Sequence, residues 1–326
     1  MTAGDSTPSE VPRDGDLPGG AEDVVARIDS ALAFLGADMR REVPLGPMTT
    51  YRVGGAARRF VEVTGDEQLS AIASALASAR LGDRVLCVGR GSNLLVSDAG
   101  FEGLAIVLGE RFAEVAIEGT SVDAGAAASL PVVARRTVLA GLSGFEWAVG
   151  VPGSMGGAVA MNAGGHGSDM AATTVGVRVH DLVSGETREM SPADLDFGYR
   201  RSAIAPHHVV SRVRMSLQPG DVEHGERLIS EIVRWRRENQ PGGHNAGSVF
   251  TNPPGESAGR LIDRAGCKGL RFGSAEVSAK HANFIQADPG GSADDVHHLM
   301  QEVARRVLET CGTSLHPETR TIGFQR

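Results

Sequence analysis

Apolar positions recur along this chain with two periods, and the change from one to the other divides it. Over residues 22–39, Val24, Val25, Ile28, Leu32 and Leu35 are spaced as on one helix face. Residues 48–55 read as a strand entering a glycine turn, and 60–63 alternate as a strand. Helical spacing returns over 66–81, with Leu69, Ile72, Ala73 and Leu76 on one side and Gly82 as the stop. A short apolar strand at 85–88 completes a β-α-β order, a small α/β unit ending near residue 90. Strands follow at 104–108, 115–117 and 122–124. Ser129 then caps a helix that has Pro131 in its first turn and Gly141 at its end. Residues 175–181 and 187–190 form a hairpin around Ser184-Gly185, Ser191-Pro192 opens a short helix, and 209–217 is another strand. Gln218-Pro219-Gly220 makes a boundary. Beyond it lie helices at 222–238, 257–265 and 292–311, a strand at 283–286 and a last strand at 320–324. The fold class is α+β: subdomains 21–90 and 91–218, then an α+β C-terminal domain, 219–326, whose last strand is a candidate to return to the first subdomain. Residues 1–20 are rich in Pro, Gly and Asp without apolar period, and read as a disordered tail.

Glycine interrupts this pattern most strongly at 141–167, where nine of 27 residues are glycine, against about one in fourteen on average. Glycine is costly to order, so the density requires positive φ or close approach of the backbone to something. Within it, 152–157 forms a turn leading into the apolar start of a helix. Free N–H groups there, at the positive end of a helix, suit a diphosphate; the competing reading is a tight crossing between packed strands. A second loop, Gly89-Arg90-Gly91-Ser92-Asn93, follows the strand at 85–88. A Rossmann fingerprint needs glycine at 94 and a helix after it. Leu94-Leu95-Val96 is apolar strand instead, which excludes that fold and leaves a turn able to hold phosphate.

Composition narrows the classes. A formal net charge of −8, with no basic run carrying aromatics, argues against a nucleic-acid surface. No apolar run approaches the roughly 20 residues of a membrane span. Cys87, Cys267 and Cys311 form no CxxC and cannot all pair, which fits a reducing cytoplasm. His207-His208 and His297-His298 are adjacent, lack metal-ligand spacing and read as surface, so no metal is expected. Three polar spots stand out by context: Tyr199-Arg200-Arg201-Ser202, Gly247-Ser248, and His316-Pro317-Glu318. An arginine, a hydroxyl and a carboxylate in one pocket would suit chemistry beside a substrate carboxylate.

The order of these motifs carries a resemblance. Thr50-Tyr-Arg-Val-Gly-Gly55, Gly89-x-Gly-Ser-Asn-Leu-Leu-Val96, Gly150-Val-Pro-Gly-Ser-Met-Gly-Gly157, Met161-Asn-Ala-Gly164, Tyr199-Arg-x-Ser202, Gly247-Ser-Val-Phe250 and Glu318 resemble the bacterial UDP-N-acetylenolpyruvoylglucosamine reductases. The similarity runs from about residue 45 to the end. It implies an FAD-binding fold of the vanillyl-alcohol oxidase/p-cresol methylhydroxylase type, FAD held non-covalently, and NADPH as reductant. The implied substrate is UDP-N-acetylglucosamine enolpyruvate, reduced to UDP-N-acetylmuramate for peptidoglycan. By the same resemblance Arg52, Gly89, Gly91, Ser92, Asn93, Leu94, Pro152, Gly153, Ser154, Gly156, Gly157 and Asn162 hold the cofactor. Arg200, Ser248 and Glu318 are catalytic, with Ser248 as proton donor, and Tyr199, Asn252 and Lys280 line the substrate. One branch of the family carries a substrate-covering tyrosine loop. The only tyrosines here, Tyr51 and Tyr199, are already assigned, so the chain resembles the branch without it. The stretch at 238–240 also lacks a lysine sometimes found there. The alternatives are an oxidase on the same fold and a non-catalytic flavin or nucleotide sensor, which would have no need of the catalytic trio.

Overall fold

The computed structural model describes residues 21–324, so the expected tail at 1–20 lies outside the described residues. The first helix is shorter than its apolar spacing suggests. α1 (Ala21–Ala31) ends early, and Gly36 takes φ 53° in the turn that follows. The chain then enters an edge strand, β1 (Met39–Pro44), that the helical spacing concealed. β2 (Ala56–Val63), α2 (Asp66–Ala79), β3 (Val85–Cys87), β4 (Leu94–Val96) and β5 (Phe101–Leu108) come next. The first sheet has the order β1-β2-β5-β3, with β1 antiparallel and the other three parallel. Leu69, Ile72, Ala73 and Leu76 of α2 are buried with Leu104 and Ile106 on one side of that sheet. Helix α2 is closed by Arg80 in the left-handed region, not by Gly82. Gly82 is needed later, because a Cβ there would lie 2.2 Å from Leu182 O. Residues 48–55 form a 3-10 end and bends instead of a strand. Gly54 and Gly55 press on the backbone after β4, each with an ideal Cβ 2.4 Å from a carbonyl oxygen, of Val96 and Asp98 respectively. The boundary expected at residue 90 cuts this sheet, since β5 is one of its inner strands.

β6 (Val115–Glu118), β7 (Ser121–Gly125), α3 (Leu130–Leu139), α4 (Met155–Ala160), β8 (Thr174–Asp181), β9 (Thr187–Met190), α5 (Pro192–Leu195) and β10 (His208–Ser216) build the second unit. Its antiparallel sheet has the order β9-β8-β10-β7-β6, and β8 and β9 form the expected hairpin. α6 (Val222–Asn239) follows the boundary at 218–220 but does not pack as part of the C-terminal domain. Its buried Ile229 and Ile232 join the second core with Val138 and Trp147. An amphipathic helix goes where its stripe is covered, whatever the turn before it suggests.

Two histidines are not on the surface. His180 is buried on β8 between Ser211 and Thr187, and burial pushes its pKa down. His208 is also buried, and with His207 it approaches Asp181. These three place their ligand atoms within 4.8 Å of one another, as a metal would require. His208 is also engaged by the chain itself: its Nδ1 accepts the Ala205 N–H, and the Arg188 guanidinium lies 3.4 Å from its Nε2. On the helix Ala293–Cys311, His297 and His298 diverge as adjacent helical residues do, stacking on Phe324 and Phe272.

The C-terminal domain contains α7 (Ala258–Arg264), β11 (Arg271–Phe272), β12 (Ala275–Val277), β13 (Ile285–Ala287), α8 (Ala293–Cys311) and β14 (Arg320–Ile322). Its core extends into the N-terminal half, taking in Tyr51, Val53 and Leu95. β14 pairs in parallel with β4, Arg320 opposite Leu94 and Ile322 opposite Val96. The last strand thus returns to the first unit. Leu94 and Val96 pack with Phe60 and Leu86 there. Ser97 and Asp98, just after β4, bind the start of α8. Asp98 accepts from the Ser292 hydroxyl and from the N–H groups of Ala293 and Asp294, while Asp294 accepts from Ser97 and from the Asp98 N–H.

Asp98 therefore acts as an N-terminal cap supplied across a domain boundary. Asp98→Ala should cost about 1–2 kcal/mol, the usual scale for a lost cap, read as a lower urea midpoint. A midpoint unchanged within error would mean that the cross-domain cap contributes nothing to stability.

Candidate active site

The site forms where the two glycine loops and the last connector meet. In the first loop, the N–H groups of Gly89, Arg90, Gly91, Ser92 and Asn93 donate to no group of the described protein. Consecutive free amides of this kind make an anion-binding concavity. Gly91 has φ 61°, and a Cβ on it would sit 2.2 Å from Met48 O, so its glycine is demanded by the chain itself. The second loop faces the first. An ideal Cβ on Gly89 would lie 2.6 Å from Ser154 Oγ, and one on Gly153 would lie 3.5 Å from Ser92 Oγ. The walls are thus within side-chain reach of each other, and the loop residues fit a diphosphate-bearing cofactor.

The helix start contributes less than its sequence promises. The N–H groups of Met155 and Gly156 bond to the carbonyls of Ala128 and Ala126. A Cβ on Gly156 would lie 2.9 Å from that of Ala126. Gly156 is thus a packing glycine, the tight crossing weighed above. Asn162 is likewise committed: Nδ2 donates to Asp169 and to Gly198 O, and Oδ1 accepts from Ala171 N–H. It braces the protein instead of offering its side chain to a cofactor. Arg52 gives a guanidinium N–H to Pro47 O, and Leu94 points into the core, so only the Leu94 backbone lies at the loop. Asn93 reaches across to donate to Glu318 O at 3.0 Å. Pro152 is exposed and Ser154 buried at the N-cap of α4, where its side chain makes no cap bond.

Arg200 and Glu318 meet. Their Nε and Oε1 are 3.2 Å apart, close enough for charge pairing though not aligned as a hydrogen bond, and both side chains are largely buried. Another N–H of the same guanidinium donates to Gly164 O at 2.9 Å. Arg200 has φ 56°, a strained value for a residue with a side chain. Burial pushes the Glu318 carboxyl above its ordinary pKa, and the Arg200 charge opposes that rise. Ser248 comes to the same place through the backbone: the Glu318 N–H donates to Val249 O at 2.7 Å. The Ser248 hydroxyl has no partner among the described residues. Tyr199 lays its exposed ring 5.4 Å from the Arg200 guanidinium carbon. Asn252 spends its carbonyl oxygen on Ala258 N–H, at the start of α7, and keeps its NH₂ group. Lys280 is directed elsewhere, with Nζ on Arg237 O at the end of α6. The Gly164 hairpin carries His166 at its turn, against Trp235 of α6. His166 and Trp235 help to line a cavity of about 620 Å³ with Trp147 and Ile232.

Residues 57–191 match a family described as an FAD binding domain. Fold and loops together define an FAD-binding oxidoreductase. Residues 239–322 match the C-terminal domain of UDP-N-acetylenolpyruvoylglucosamine reductase. The chain is similar to the proteins of that name from Heliobacterium modesticaldum, 43% identical over 89% of this chain and 92% of the relative, and from Paramagnetospirillum magneticum, 39% identical over 93% and 96%. It also resembles the crystal structure of the Thermus caldophilus reductase, with a TM-score of 0.74 and 38% identity over 87% of this chain and 99% of that one. This chain belongs to the UDP-N-acetylenolpyruvoylglucosamine reductase family.

Two tests follow from this geometry. Gly89→Ala puts a methyl against the free Ser154 hydroxyl, between the loops, and should weaken FAD binding at least about tenfold, some 1.4 kcal/mol, with little change in apoprotein melting. Gly91→Ala meets backbone and should destabilise the apoprotein itself. Flavin fluorescence titration decides the first, and unchanged affinity in Gly89→Ala would separate the cleft from the cofactor. For Glu318, a raised folded-state pKa means that stability is fullest at low pH and falls as pH rises through the folded value. Glu318→Gln removes that titration. Its melting temperature relative to the parent should therefore climb as pH rises above the ordinary glutamate range. A flat difference would mean that the carboxyl is not shifted.

Proposed function

We infer that this chain reduces the enolpyruvyl ether of UDP-N-acetylglucosamine to UDP-N-acetylmuramate with electrons from NADPH, a step toward peptidoglycan. The observation that carries the residue assignment is the Arg200–Glu318 pair lying beside Ser248 at the edge of the FAD loops. The free amides of residues 89–93 would hold the cofactor's diphosphate, with Gly153 and Gly157 leaving room on the facing wall. FAD held there would supply, once reduced by NADPH, the hydride for the terminal carbon of the enol ether.

Charge then develops on the substrate's carboxylate and α-carbon. Arg200 is already in place to balance it, at no cost of reorganisation. Glu318, beside Arg200 and with its carboxyl pKa raised by burial, is the second catalytic group at that charge and, when protonated, can donate a hydrogen bond to it. Ser248 delivers the proton to the α-carbon. A serine hydroxyl is a weak acid, so its contribution depends on being aimed and on being reprotonated afterwards. Tyr199 and the Asn252 NH₂ border the substrate, and Lys280 must leave Arg237 O before it can meet a phosphate. All three cysteines are free thiols, in keeping with a cytoplasmic enzyme. The product feeds wall construction, on which cell shape and division depend.

The test separates the half-reactions by rapid-mixing absorbance of the flavin. Ser248→Ala should bleach normally with NADPH and reoxidise with the enolpyruvyl nucleotide about 10²–10⁴-fold more slowly, the scale of a lost general acid. Equal slowing of both halves, or near-normal reoxidation at saturating substrate, would sink the proton-donor role.

A further inference from the structure

The serine that donates the proton has no side-chain partner among the described residues, so its backbone alone sets its aim. Upstream, the backbone is held as a turn: Asn245 Nδ2 donates to Gly242 O and Gly243 O, Asn245 Oδ1 accepts the Gly247 N–H, and Gly247, with φ 77°, precedes the serine directly. Downstream it is held at Val249 and Phe250. Both are buried. One edge of this short extended segment pairs with the connector that carries the carboxylate, with Glu318 N–H on Val249 O and Thr251 N–H on His316 O. The other edge has no strand beside it. Asn283 takes that place: its Oδ1 accepts the Phe250 N–H at 3.0 Å and its Nδ2 donates to Phe250 O at 2.8 Å. Its own carbonyl accepts the Val249 N–H at 2.9 Å.

We propose that Asn283 is a positioning residue for the proton-transfer step, its carboxamide clamping Phe250 so that Ser248 and Glu318 are held in register. The inference rests on the reading of Ser248 as proton donor. Asn283 is suited to the task because it is itself immobile. It is 3% exposed, its N–H donates to His281 Nδ1, and a tight turn fixes its neighbours, with Phe284 N–H on His281 O and Ser278 N–H on Phe284 O. A carboxamide of this length offers a donor and an acceptor side by side at any ordinary pH, where a carboxyl does so only when protonated. An ionised aspartate would turn a lone pair toward Phe250 O, and glutamine is one methylene too long.

The prediction is a split between half-reactions. Asn283→Ala holoenzyme should bind FAD and be reduced by NADPH within about threefold of the parent. Its reoxidation by saturating enolpyruvyl nucleotide should slow by about 10²-fold, the scale of a displacement near 1 Å. Asn283→Asp supplies a second readout and carries the test should the alanine variant fail to fold. A protonated carboxyl presents a donor and an acceptor as the amide does. Reoxidation of this variant, taken as a ratio to the parent at each pH because His281 titrates in both, should recover as pH falls. Reoxidation within threefold of the parent in Asn283→Ala, equal slowing of both halves, or a pH-independent Asn283→Asp ratio would overturn the proposal. Ser248→Ala distinguishes the two failures. If it reoxidises normally, the donor assignment fails; if it is slow while the Asn283 variants are normal, only the clamp fails.

Discussion

A three-residue parallel pairing, Leu94–Val96 against Arg320–Ile322, is the contact on which the site depends. So short a ladder is marginal by its hydrogen bonds alone. Its strength comes from burial on both faces. Leu94 and Val96 enter the core around Phe60 and Leu86, while Leu95 enters the C-terminal core with Val249 and Phe250. Each such side chain contributes about 1.5–3 kcal/mol when removed from water. The pairing continues past its ends, Arg320 N–H reaching Asn93 O and Ser97 N–H reaching Ile322 O. It therefore delivers Glu318 to the first glycine loop, and a residue of that loop, Asn93, closes on the Glu318 carbonyl.

Strain collects around the same place. Arg52, Asn162, His166 and Arg200 all have positive φ, at roughly 1–2 kcal/mol each for a residue with a side chain. Such conformations persist when neighbours over-determine them. Asn162 shows how: one of its three side-chain bonds is to Gly198 O, two residues before Arg200. The end of the second glycine stretch thereby braces the turn that presents the arginine. Arg200 in turn holds Gly164 O, so the turn and the hairpin stabilise each other. The result is a cation and a partly buried carboxyl kept apart from bulk water before any substrate arrives, the condition under which fixed charges act most strongly.

The local chemistry of the site was legible in the sequence. The glycine loops and the rejection of a dinucleotide fold at Leu94 follow from residue types and order, and the family resemblance pointed to Arg200, Ser248 and Glu318 as a set. Other parts were not. Asn162 and Gly156 stand in motifs that look like ligand loops, yet one is consumed by internal hydrogen bonds and the other by contact with Ala126. Asn283 carries no signal beyond its place in Ser278-Ala-Lys-His-Ala-Asn283, because a clamp on a peptide group resembles any other asparagine in a turn.

The sequence by itself determined the elements whose period is local: α2, the β8–β9 hairpin, α8, and the turns where positive φ demands glycine. A side chain's tendency to leave water, and a residue's backbone preferences, are properties of a few neighbouring positions. Which surface an apolar stripe covers is not such a property. Helix α6 carries the stripe of any amphipathic helix, and only packing sent Ile229 and Ile232 to the second core instead of the C-terminal one. The union of Asn93 with Glu318 spans 225 positions of chain. Tertiary structure alone decided it, because burial rewards any apolar partner, and the choice among partners is made by the whole set of contacts at once.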